Sequence, residues 1–96
     1  MYAAVRRYEG ITDDAEAGRL VGETFVPLLQ QVPGFIAYYW IDAGDGVMAS
    51  LSLFESQEGA DRSVEVAHEW IVENAPSLFP NQPRVTEGPV VASATA

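Results

Sequence analysis

The chain reads as one α+β domain of order β-α-β-β-α-β, and three observations predict it. Two stretches with apolar residues at three- and four-residue spacing alternate with four stretches rich in β-branched and aromatic residues. Pro33-Gly34, Gly44-Asp45-Gly46, Pro76, Pro80 and Pro83 punctuate the boundaries between them. Ninety-six residues, 48% of them apolar, suit a single core and are too few for two.

Tyr2 to Glu9 opens the chain as a strand closed by Gly10. Asp13 then caps a helix, with Glu16 three residues on to complete a capping box. Ala17, Val21, Phe25, Leu28 and Val32 form one buried stripe, and Pro27 inside it predicts a kink near Glu23 or Thr24. Pro33-Gly34 ends this helix, and Phe35 to Asp42 is the second strand. Ala43-Gly44-Asp45-Gly46 is hairpin chemistry, because Gly and Asp accept the positive φ of tight turns.

Val47 to Glu55 returns as the third strand. Val47, Ala49, Leu51 and Leu53 point one way and Met48, Ser50, Ser52 and Phe54 the other. Ser56 caps a second helix running to about Asn74. Arg84 to about Ala92 is the last strand, and Gly88-Pro89 within it predicts an edge position or a bulge. The domain is expected to span residues 1–92, with Ser93 to Ala96 a loose tail. This order specifies a ferredoxin-like four-stranded antiparallel sheet with both helices on one face.

Charge excludes several function classes. Fourteen acidic residues face five basic ones, all Arg, for a formal net charge of −9. Nucleic-acid binders need basic side chains to displace counterions, and anionic lipid repels such a surface, so neither partner is expected. There is no cysteine, hence no disulfide framework, thiolate metal site or thiol nucleophile. The N-terminal residues run straight into a strand pattern without a signal-peptide apolar stretch. No apolar run approaches the roughly 20 residues of a membrane helix, so a cytoplasmic location is expected.

One sheet face presents a problem. Two helices cover the other, yet Phe35-Ile36-Ala37-Tyr38-Tyr39-Trp40-Ile41 offers apolar or aromatic side chains to both. Met48 and Phe54, on the less apolar row of the third strand, are expected to add to the uncovered side. That much contiguous apolar surface calls for a second layer, and a second copy related by a two-fold axis supplies it. A homodimer through this face is therefore expected.

The element order, the Pro33-Gly34-Phe35 start of the second strand, and Val47 to Phe54 followed by Glu55 carry a resemblance. The chain resembles the dimeric α+β barrel superfamily, and within it the antibiotic-biosynthesis-monooxygenase-type domains, over residues 2–92. The resemblance implies two sheets paired face to face, with a cavity between sheet and helices in each protomer. It also implies a range of activities, from cofactor-free oxygenases of aromatic polyketides to haem-degrading oxygenases and small-molecule isomerases. Haem-degrading relatives use an Asn on the first strand, which this chain lacks; Asn74 and Asn81 lie near or after the second helix. That departure argues against haem cleavage, for which His68 would be the axial ligand.

An oxygenase of this type needs no metal or cofactor, since a phenolate can react with oxygen directly once it is oriented and hydrogen-bonded. Arg6, Tyr8, Tyr38 and Trp40 are candidates to line the pocket: aromatics stack on flat substrates and Arg stabilises an oxyanion. Strand aromatics also serve as ordinary core, and Arg6 and Arg7 must point to opposite faces. On a helical wheel Ala60, Val64, Ala67 and Ile71 define the core direction, with His68 about 80° to one side and Trp70 about 80° to the other. Both flank the stripe and are further pocket candidates. Asp61, Glu65, Glu69 and Glu73 spread along about 18 Å of one ridge, which suits a solvated face better than a metal site. No nucleophile triad, phosphate loop or dinucleotide fingerprint is present. The expected function is binding of a small aromatic molecule, or a structural role, in a homodimer; the alternative is a cofactor-independent monooxygenase of quinol or phenol substrates.

Overall fold

The four strands pair in the order β2-β3-β1-β4, every neighbour antiparallel. In the computed structural model, which describes residues 1–96, they are β1 (Tyr2–Tyr8), β2 (Phe35–Gly44), β3 (Val47–Phe54) and β4 (Arg84–Pro89). The helical segments are α1 (Asp14–Leu20), a π-helical turn (Val21–Phe25), α2 (Val26–Leu29) and α3 (Gln57–Asn74). This is the ferredoxin-like arrangement that the element order specifies.

The first helix starts as its sequence dictates. Asp13 accepts a hydrogen bond from the Glu16 amide at 3.1 Å. The reciprocal arm of the box is not made, because the Glu16 carboxylate pairs with Arg19 instead. Ahead of Pro27 the helix loosens into the π turn, where the Val26 amide bonds to the Val21 carbonyl. Each π turn takes up an extra residue, so the buried stripe slips by one. Ala17, Val21, Phe25 and Val32 are buried as expected, but Leu29 replaces Leu28, which is 45% exposed.

β3 presents the face opposite to the expected one. Met48, Ser50, Ser52 and Phe54 face the helices and are buried, while Val47, Ala49, Leu51 and Leu53 form the open side. Side-chain volume explains the choice. Ser50 lies between Arg6 on β1 and Trp40 on β2, and Ser52 lies between Ala4 and Tyr38. Small hydroxyls on the central strand leave room for these large neighbours. The open face therefore carries Val5, Tyr39 and Ile41 beside the alternate β3 residues, and Tyr39 is 58% exposed.

α3 packs closely on β3 at one point. A Cβ added to Gly59 would lie 2.8 Å from the Phe54 ring and 3.0 Å from its Cβ and Cγ. Those atoms sit near the backbone of a fully buried residue and have little room to yield. Gly59→Ala is therefore expected to destabilise the fold by about 1–3 kcal/mol, overriding the ~1 kcal/mol gain in helix propensity. Chemical denaturation checks this; a more stable variant would show that the contact is loose.

The core side of α3 is rotated from the expected direction toward Trp70. Ala60, Ser63, Ala67 and Trp70 are buried, Val64 and Ile71 are half-buried, and His68 is exposed. The Trp70 indole donates to Thr24 Oγ1 at 2.9 Å, which ties α3 to the π turn. The acidic row is exposed throughout, with Arg62 2.9 Å from Glu65 and 3.9 Å from Glu69. No helix is long and apolar enough to cross a membrane.

β4 is an edge strand that stops at Pro89, short of the expected Ala92, and the Val90 amide bonds to the Met1 carbonyl at 3.0 Å. Glu87 on this strand pairs with Ala4 and so faces the helices. Burial, and then the neighbouring Asp61 carboxylate on α3, raise its pKa to about 7. A raised carboxyl pKa favours the folded state below pH ~4.5, and this contribution is lost as pH rises through about 7. Glu87→Gln should remove that loss, gaining up to about 1 kcal/mol on the wild type between pH 5 and 7.5 after solvent screening. Thermal melts at the two pH values check it, and a constant difference would contradict it.

Candidate functional site

Alternation along β1 places Arg6 on the helix-facing side and Arg7 on the other, as their adjacency requires. Arg7 is exposed and pairs with Glu9 at 3.2 Å. Arg6 is 1% exposed. Its Nη1 donates to the Ser63 carbonyl on α3 at 3.2 Å, and the guanidinium carbon lies 5.7 Å from the centre of the Phe25 ring. Its Nε has no partner, and none of the ion pairs of the chain includes it.

Around Arg6 the fold assembles an aromatic shell. Tyr8 lies 5.7 Å from Trp40 and 5.1 Å from Phe79, while Phe25 lies 5.6 Å from Tyr38 and 5.5 Å from Trp70. Of the sequence-derived candidates, Arg6, Tyr8, Tyr38, Trp40 and Trp70 thus line one inner cavity. That cavity measures only about 10 Å³, room for no more than a single water. Phe79, 6.0 Å from both Trp40 and Trp70, closes it.

His68 is not in this cavity. It stands at the rim of an open cleft of about 230 Å³ between α3 and β4, which also reaches Arg6 and Tyr8. Arg6 and Tyr8, with Ala67 and Ile71, form the wall shared by cleft and inner cavity. Trp70 belongs to the inner cavity, but its indole N–H is committed to Thr24.

Two residues that the sequence reading left aside belong to this centre. Ser50 Oγ and Ser52 Oγ are buried without a hydrogen-bond partner, as is Trp40 Nε1, which lies near Gly18 of α1. Burial pushes the Tyr38 hydroxyl up to about 12, against the opposing influence of Arg6 and the nearby Ser50. Burial raises Tyr8 as well, with Arg6 again opposing. Both phenols are therefore hydrogen-bond donors at neutral pH. The centre combines one fixed positive charge, two neutral phenols and buried hydroxyls within aromatic walls. Such a set offers hydrogen-bonding groups and flat aromatic walls to an oxygen-bearing group that reaches it. Elsewhere, a groove of about 380 Å³ between α2 and α3 is walled by Leu28, Arg62, Val66, Glu69 and Glu73, without a buried polar group aimed into it. No three of the carboxylates and His68 come together as metal ligands would.

Solved structures carry the comparison further. A protein of unknown function from Nitrosomonas europaea superposes with a TM-score of 0.77 at 18% identity, over 99% of this chain and 93% of that one. The ActVA-Orf6 monooxygenase of Streptomyces coelicolor, solved in complex with the ligand nanaomycin D, gives 0.72 at 17% identity, over 99% and 92%. An antibiotic biosynthesis monooxygenase gives 0.70 at 14% identity, over 96% and 100%. The chain has the antibiotic-biosynthesis-monooxygenase-like fold. No family model matches the sequence, and no curated protein does. At these identities the likeness shows the fold, and activity has to be argued from the side chains of this chain.

Proposed function

We propose that this protein binds a small aromatic molecule through the cleft between α3 and β4, as a homodimer. The observation that carries the ligand reading is the open cleft of about 230 Å³ whose floor is the buried Arg6–Tyr8 pair. Val64, Ala67, Ile71 and Val85 give the cleft apolar walls, while His68 and Gln82 give it a polar rim. Its size, below the roughly 300–1,000 Å³ of sites for drug-sized ligands, suits one or two fused rings. Titration calorimetry with two-ring aromatics tests the reading. Saturable one-to-one binding, weakened by Val85→Glu at the cleft wall, supports it; no heat from any such compound overturns it.

Dimerisation is supported by the open sheet face. The strand residues on that face are apolar except Thr86 and the facing pair Arg7 and Arg84; Asp42 and Glu87 face the helices. Two copies meet there without bringing strand carboxylates together, although the chain as a whole carries −9. The acidic ridge of α3 then stays on the outside of the pair. A cytoplasmic dimer of a domain spanning residues 1–92 is the working assembly.

A second reading is cofactor-independent oxygenation of a quinol. The Streptomyces monooxygenase with the same fold and the phenol-lined centre of this chain favour it. Protein-dependent oxygen uptake with naphthoquinols, reduced in Tyr38→Phe, would establish it over binding alone.

A further inference from the structure

Arg6 carries a buried charge without a counterion. Buried guanidinium groups are ordinarily paired or hydrogen-bonded on most of their five donors, because stripping them of water is otherwise costly. Here one donor bonds to a helix carbonyl and Nε bonds to nothing. The strand carboxylates on the same side are engaged elsewhere, Asp42 beside Asp14 and Glu87 beside Asp61. What surrounds Arg6 instead is a set of neutral hydroxyls: Tyr8 and Tyr38, whose oxygens face the guanidinium as acceptors, and Ser50, which lies on the strand position paired with Arg6 and near Tyr38. Neutral hydroxyls leave the guanidinium charge unmatched, and each can turn its O–H toward an added oxygen, so an anionic oxygen suits the site best.

The proton balance narrows the ligand further. No carboxylate or imidazole lines the inner cavity, and His68 stands exposed at the cleft rim. The groups that meet the ligand oxygen hold their protons, so none of them removes one from the ligand. Resting on the ligand-binding reading above, we infer that the site selects aromatic molecules already ionised in solution near neutral pH, carboxylates or acidic phenols, with Arg6 as the missing counterion. The ring lies in the α3–β4 cleft, and the oxyanion reaches Arg6 through its floor. The negative exterior of the protein makes this selectivity a property of the buried site, since long-range charge opposes it.

The test uses two compounds of one shape and different charge, 2-naphthoate and 2-naphthamide, in calorimetry at pH 7. The wild type should bind the naphthoate at least tenfold more tightly. Arg6→Met should lose that tenfold preference, binding the two compounds within about twofold of each other, and melt no lower than the wild type because an unpaired buried charge has gone. Should the variant not fold, the wild type decides alone: naphthoate affinity should hold or tighten between 10 and 300 mM NaCl, as salt screens the negative exterior. Steep weakening by salt would place the anion on the surface and overturn the inference. Equal binding of both compounds would overturn the charge selectivity while leaving the ligand reading standing. Binding of neither would overturn both.

Discussion

Leu51→Asp is expected to turn the proposed dimer into a monomer. Leu51 lies on a central strand, paired with Val5 on one side and Tyr39 on the other, in the middle of the apolar open face. A carboxylate there would be buried against its symmetry copy, and Arg7, on the next row of β1, already pairs with Glu9. Val5, Leu51 and Tyr39 form one row, and Arg7 and Arg84 lie in the next, with Ala49 and Ile41. Burying an unpaired charge costs several kcal/mol, so the dissociation constant should rise by roughly a thousandfold or more. Sedimentation equilibrium at micromolar concentration reads this directly. The wild type should sediment at twice the chain mass and the variant at the chain mass. The fold of the monomer should persist, because the substitution sits on the side away from the helices. A wild type that is itself monomeric would remove the reason for the apolar face.

Phe79→Ala carries the second large effect. Phe79 comes from the segment after α3, is buried, and packs against Tyr8, Trp40 and Trp70 at 5.1–6.0 Å. Truncation should cost about 3–5 kcal/mol through lost burial and the cavity left behind. The same cavity joins the small space beside Arg6, and its new walls are aromatic. Apolar cavities of this kind stay dry and accept small apolar molecules. Toluene should therefore restore part of the lost stability in the variant, raising its melting temperature more than that of the wild type. Thermal melts with and without toluene check it. Loss of stability without rescue would mean that the shell collapses inward when Phe79 is removed.

The fold was legible in the sequence because each element is signalled locally. Asp13 marks a cap, Pro33-Gly34 a helix end, and Gly44-Asp45-Gly46 a turn in which all three residues adopt positive φ. Composition alone also called for a partner for the sheet. Which row of β3 lies on the helix-free face was not legible. The Val47-Ala49-Leu51-Leu53 row is the more apolar one and reads as core, yet it lies outside because Arg6, Tyr38 and Trp40 need small neighbours on β3. Two serines at alternate positions between Met48 and Phe54 were the available signal. Leu28 and Leu29 exchanged roles for a similar reason, since hydrophobic spacing assumes a uniform helix and Pro27 is preceded by a π turn.

Five of the six pocket candidates do converge, and they do so because alternation on β1 and β2 puts Arg6, Tyr8, Tyr38 and Trp40 on one face. His68 separates from them because the buried side of α3 is centred closer to Trp70 than an aliphatic stripe implies. The closure of the inner cavity depends on Phe79, whose position after Pro76 is set by long-range packing and carries no local sequence signature.

In the proposed complex a small aromatic molecule enters between α3 and β4 and meets Arg6. Nitrogen-15 NMR of the wild type titrated with 2-naphthoate tests it most directly. Saturable shifts are expected at the Arg6 Nε–H and at the Ala67, Ile71 and Val85 amides, with Ala49 and Leu51 on the open sheet face unmoved. Shifts confined to that open face, or to Leu28 and Val66 in the α2–α3 groove, would contradict it.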